Sequence, residues 1–134
     1  MTISDKSRID YMQEAAIKKK SFELNFHNGT IWCEHLDGMG GYEDEVIAKF
    51  LEDKRTFLRP SVSSFMILNL DKTHMTEQIA NTIVTVILES EKPFRKIVFV
   101  GVKAHWRNQF GIIIQKGILI NFIDDYEKAK EWLL

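Results

Sequence analysis

Three short apolar runs constrain this chain more than any other feature. SFMILNL (64–70), KIVFVG (96–101) and ILINFI (118–123) are almost continuously hydrophobic, and each is too short for a buried helix. The first reads as a central strand covered on both faces, the second as another buried strand, and ILINFI as the last strand. Amphipathic stretches of helical period precede, separate and follow them. The first, from about Glu43 to Phe57, carries Val46, Ile47, Phe50, Leu51, Phe57 and Leu58 as its apolar stripe. In TEQIANTIVTVILES the stripe is Ile79, Ala80, Ile83, Val84, Ile87 and Leu88. KAHWRNQFGIIIQKG places Trp106, Phe110, Ile113 and Ile114 at helical spacing, with Gly111 as a mark of close packing. DDYEKAKEWLL turns Tyr126, Ala129, Trp132 and Leu133 inward, and Asp124 or Asp125 caps it.

A hairpin precedes these units. FELNFH alternates with Phe22, Leu24 and Phe26 on one face, and TIWCEH returns. Asn28–Gly29 reads as a two-residue turn, since both residue types accept positive φ. That turn pairs Phe26 with Ile31 and Leu24 with Cys33. Trp32 then lies on the opposite face, either covered by a helix or open to a partner, including a second copy in a homodimer. The expected order is β-β-α-β-α-β-α-β-α. This is an α/β fold with a mixed, mostly parallel sheet, an N-terminal β-hairpin and helices packed on it. Residues 21–134 form one domain. Residues 1–20 form an N-terminal extension in which Ser7 could cap a short helix carrying Ile9, Met12 and Ala16.

Composition excludes several classes. The chain has 134 residues, 45% of them apolar, which suits one domain with a core of its own. A net charge of -1 gives no electrostatic footprint for nucleic acid. The lysines Lys18–Lys20 read as a solvated face. No stretch approaches a membrane span, and the polar start MTISDKSRID lacks the apolar centre of a signal peptide. The single cysteine, Cys33, forms no disulfide framework and reads as a small buried hydrophobe. A cytoplasmic protein is expected.

In mostly parallel sheets, ligands and partners meet the loops beyond the strand C-termini. Here those loops are LDGMGGY, DKTHMT, GVKAHW and DDY. In the second, Thr73 or Thr76 caps the following helix, while Asp71, Lys72 and His74 supply polar specificity. Gly38, Gly40, Gly41 and Tyr42 lie in a glycine-rich segment that reads as a mobile loop, in one reading a lid. It has neither the spacing nor the lysine of a phosphate-binding loop. His27, His35, His74 and His105 are scattered without metal-ligand spacing. Neither metal nor cofactor is expected.

From residue 22 onward the pattern resembles the STAS domain, the anti-anti-sigma-factor fold. It is more similar to the small bacterial stage II sporulation protein AA-like (STAS/SEC14-like) proteins. The residues that carry the resemblance are KIVFVG, a helix bearing HWR, and ILINFIDDYEKAKEWL with its ending Ala129, Trp132 and Leu133. Leu36–Gly38 (LDG) adds to it. The resemblance implies a non-catalytic regulatory or interaction module that binds a protein partner or small ligand at the rim loops. It also implies a second reading, a carrier of an apolar, lipid-like ligand in a pocket walled by Trp106, Phe110 and Ile113, with Ile114 beside them. A small enzyme is the third reading, and no nucleophile–base pair or paired acids single it out. In place of the family's phosphoacceptor segment, Asp-Ser-Ser/Thr-Gly-Leu, this chain has DKTHMTEQIA. Thr76 falls near the serine and Ile79 near the leucine, and the glycine is absent.

Overall fold

A computed structural model describes residues 18–27, 29–59, 63–91 and 94–134. The elements run β1 (Phe22–Phe26), β2 (Gly29–His35), α1 (Glu43–Phe57), β3 (Phe65–Asn69), α2 (Glu77–Glu89) and β4 (Lys96–Val100). A 3-10 turn (Ala104–Trp106), α3 (Arg107–Gly111) and a second 3-10 turn (Ile112–Lys116) follow, then β5 (Leu119–Phe122) and α4 (Tyr126–Leu133). The helix expected around Ile9, Met12 and Ala16 lies outside the described residues, as does Asn28.

The five strands lie in sequence order, β1 antiparallel to β2 and the rest parallel. Successive parallel strands joined by right-handed crossovers put every crossing helix on one face. The main core accordingly forms where α1, α2 and the α3 region cover Trp32, Met66, Leu68, Ile97 and Phe99. The other face has α4 alone, over Ile31, Cys33, Ile67, Val98 and Val100. One helix is about 10 Å wide and spans roughly two strands. The outer strand β1 is therefore thinly covered, and Phe22, expected on the core face, is 41% exposed.

The hairpin register differs from the expected one by two residues. Phe26 pairs with Gly29, Leu24 with Ile31 and Phe22 with Cys33. A shift of two keeps every side chain on its face. His27 takes the left-handed conformation, φ 50°, and Gly29 is the first residue of β2. Its glycine serves close approach: a Cβ there would run into the Leu134 side chain and stand 3.1 Å from the Phe65 ring. Trp32 is buried against Phe57, ring centroids 6.0 Å apart, which removes it as a docking surface.

The helix expected across 103–117 is broken into three short turns. Phe110 and Ile113 are buried, but Ile114 is 60% exposed. Open space surrounds Gly111, so it marks no close packing. Gly117, φ 78°, ends the segment. On α1, Leu51 points outward, 37% exposed. On α2, Val86 is buried in addition to the expected stripe. Among the described residues, no helix is long and apolar enough to cross a membrane.

Candidate functional site

The C-terminal rim of the sheet is built by pairing that outlasts the strands. Beyond β2 and β3, Leu36 N–H donates to Asn69 O (2.9 Å), Gly38 N–H to Asp71 O (2.8 Å), Gly40 N–H to Lys72 O (3.1 Å) and His74 N–H to Gly40 O (2.7 Å). Such a ladder between loops needs unusual backbone, and Gly38 (φ 71°), Gly40 (φ 56°) and Lys72 (φ 58°) supply it. The Thr73 hydroxyl sits between the two loops. It donates to Leu36 O and accepts the Met39 N–H at 3.1 Å. Of the glycine-rich segment expected as a mobile loop, Gly38–Gly40 is thus tied to the next loop, while the Tyr42 N–H bonds locally to Met39 O.

The two threonines divide the roles that the sequence left open between them. Thr76 is the cap of α2, accepting the Ile79 N–H at 3.2 Å. Thr73 caps nothing and clamps the loops. Thr73→Val is therefore expected to lose about 2 kcal/mol, since it orphans a carbonyl and an amide together. Thr76→Ala should lose about 1 kcal/mol, the ordinary worth of a cap. Urea denaturation of both variants checks the ranking.

Gly101 brings β4 against this assembly. Its φ is 79°, and a Cβ there would lie 2.5 Å from the Asp71 Cα and 2.7 Å from the Asp71 N. The chain after β4 consequently passes directly beside the loop after β3. Between them opens a cleft of about 270 Å³ lined by Thr73, His74, Met75, Gly101, Lys103, His105 and Trp106. Trp106 is half-buried, packed partly on the main core, with the His105 ring 5.1 Å away.

Of the residues expected in a site, Thr73, His74 and Trp106 meet in this cleft. Asp71 and Lys72 are exposed on the same loop but outside its lining. Phe110 and Ile113, expected to wall an apolar pocket with Trp106, lie in the filled core instead. The Phe110 ring stands 4.6 Å from that of Phe99, which stacks on Phe122 at 5.2 Å. Gly101 and Met75 were not singled out as site residues. The signal for Gly101 was a glycine directly after a buried strand.

A polar network between β2 and α1 also escaped the sequence reading. Glu34 is fully buried beside Trp32, whose indole N–H donates to its Oε1 at 2.8 Å. Its other oxygen, Oε2, lies 3.8 Å from Lys49 Nζ and has no hydrogen-bond partner. Lys49 in turn bonds Asp53 and the Ser21 hydroxyl, each at 2.8 Å. Burial first, and then the neighbouring Asp53 carboxylate, push the Glu34 carboxyl up to about 9, against the pull of Trp32 and Lys49. The legible signal was Lys49 and Asp53 at i,i+4 within an otherwise apolar stripe, facing the strand side that carries Trp32 and Glu34.

On the α4 side, His35 Nδ1 and Asp37 Oδ1 are 2.8 Å apart, and Lys19 donates to Asp37 Oδ2 at 2.6 Å. Burial alone would raise Asp37, but these hydrogen bonds outweigh it and hold the carboxyl at about 2. The Cys33 thiol is 0% exposed and burial pushes it up, with Tyr126 and Lys130 opposing. A buried, protonated thiol is a poor nucleophile. Among the described residues, no three His, Cys, Asp or Glu side chains gather as a metal site.

Comparison with known proteins adds the fold. An uncharacterized protein of the DUF3478 family with a SpoIIAA-like fold, from Shewanella loihica PV-4, is similar to this chain in structure. The match has a TM-score of 0.51 and 12% sequence identity, and covers 88% of this chain and 96% of that one. No family model matches the chain, and no curated protein matches it.

Proposed function

We propose that this chain, with its SpoIIAA-like fold, is a non-catalytic, cytoplasmic interaction module that engages a protein partner or small ligand at the rim cleft. The observation that supports this most is the convergence of Thr73, His74, Met75, Lys103, His105 and Trp106 from two separate loops around one open cleft. The loop after β3 is held by the backbone ladder and by Thr73, so that wall of the cleft is preformed and would require little ordering on binding.

Two other readings have less support. A lipid-like ligand needs room beneath the Trp106 segment, and that space is filled by Phe99, Phe110 and Ile113. For a covalent phosphoryl switch, the Thr73 hydroxyl both donates and accepts in the loop clamp, and the segment at Thr76 lacks the family's glycine.

Native mass spectrometry of the protein isolated from its own host tests the proposal. A bound polypeptide or small molecule is expected under gentle conditions, and Trp106→Ala should lose it. A lipid-sized mass retained by Trp106→Ala would place the ligand inside the body and overturn the reading.

A further inference from the structure

We infer that the rim cleft takes an oxyanion, a carboxylate or phosphate carried on a small planar or apolar body. This inference rests on the binding reading above and narrows it to a ligand chemistry.

The lining is one-sided in charge. Lys103 contributes a full positive charge, and His74 and His105 contribute two imidazoles able to donate N–H bonds. No carboxylate lines the cleft. Among the described residues, none of these three side chains has an ion-pair or hydrogen-bond partner, although many other cations here do. Lys18 pairs with Glu45, Lys19 with Asp37, Lys49 with Asp53, and Lys130 with Glu127. The nearby Asp124 carboxylate accepts the Gly101 N–H at 3.3 Å and stands outside the lining.

The remaining walls suit the body of such a ligand. Trp106 and Met75 present a flat ring and a flexible thioether, both half-buried, on which a planar or aliphatic group can rest. The cleft, at about 270 Å³, is near the lower end of small-molecule sites. The anion arrives with the ligand, since Thr73, the threonine of the lining, already donates to Leu36 O and accepts the Met39 N–H.

Titration of the whole protein with phenyl phosphate, benzoate and neutral benzyl alcohol, followed by NMR, tests the inference. The two anions are expected to shift the Trp106 indole N–H and the ring protons of His74 and His105. The neutral probe is expected to shift them far less. Whichever anion binds more tightly identifies the oxyanion. Lys103→Gln should weaken the anions about fivefold, and Arg55→Gln, on the exposed face of α1, should leave them unchanged. Equal shifts from benzyl alcohol would overturn the inference and leave a cleft that binds through its apolar wall. If no probe shifts these signals while a partner still crosslinks at the rim, the anion inference fails and the binding reading stands. Absence of both would sink the two together.

Discussion

Gly101→Ala is expected to destabilise the domain by about 4 kcal/mol and to distort the rim cleft with it. Two costs add. A non-glycine residue at φ 79° is strained by about 1–2 kcal/mol. The new methyl would also press into the Asp71 backbone, with 2.5 Å to its Cα and 2.7 Å to its N, where no flexible side chain can yield. Forced overpacking of that kind typically costs about 1–3 kcal/mol. Urea denaturation measures the loss, and Gly111→Ala is the control, since a Cβ at Gly111 meets open space. Wild-type stability in Gly101→Ala would show that the loops after β3 and β4 do not approach each other as described.

The second large effect is a stability that falls as pH rises. Glu34 has an ordinary carboxyl value of 4.5 in the unfolded chain and about 9 in the folded one. Between those values the folded state keeps a proton that the unfolded state has lost. Its contribution is therefore complete below pH 4.5 and disappears as pH climbs through about 9. At about 1.4 kcal/mol per unit, the window from pH 5 to 8 is worth at most about 4 kcal/mol. Asp37 acts at the opposite end. Its carboxyl is lowered from 3.8 to about 2, so its contribution is present above 3.8 and is lost as pH falls through about 2.

Glu34→Gln keeps an acceptor for the Trp32 indole and removes the titration. Denaturation at pH 5 and pH 8 should show wild-type stability dropping and the variant nearly flat, with the variant the more stable at pH 8. An unchanged slope in Glu34→Gln would mean that the buried carboxyl is not its source.

The β3 and β4 runs were legible because central strands buried on both faces carry few polar residues to hide their pattern, and β5 was legible as a short apolar run although Leu119 is 61% exposed. The helix stripes of α1 and α2 were legible for the same reason, their apolar periodicity being long. The hairpin register was not, because Asn-Gly is so strong a local turn signal. The packing of Leu134 and Phe65 over Gly29, which only the tertiary fold creates, decides it instead. The segment after β4 misled through its composition. Trp106, Phe110 and Ile113 keep helical spacing although the backbone tightens on both sides of α3, and spacing alone does not separate an α-helix from flanking 3-10 turns.

Half of the candidate site could be read from topology. Loops beyond parallel strand ends gather at one edge, which is how Thr73, His74 and Trp106 came to be expected together. The contribution of Gly101 depends on a backbone contact with Asp71 that no sequence spacing encodes. Glu34 was hidden for a different reason. A single acid in a short strand reads as a solvent-facing position until the covering helix is found to bring Lys49 and Asp53 to it.

Site-specific photo-crosslinking in the native host tests the central claim most directly. One photoreactive residue replaces His105 at the cleft, and another replaces Glu52 on the exposed face of α1. Adducts concentrated at position 105, and suppressed there by Lys103→Gln or Trp106→Ala, are the result expected of a rim-cleft binding module. Equal labelling at both positions, or labelling at position 52 alone, would contradict it and move the functional surface elsewhere on the fold.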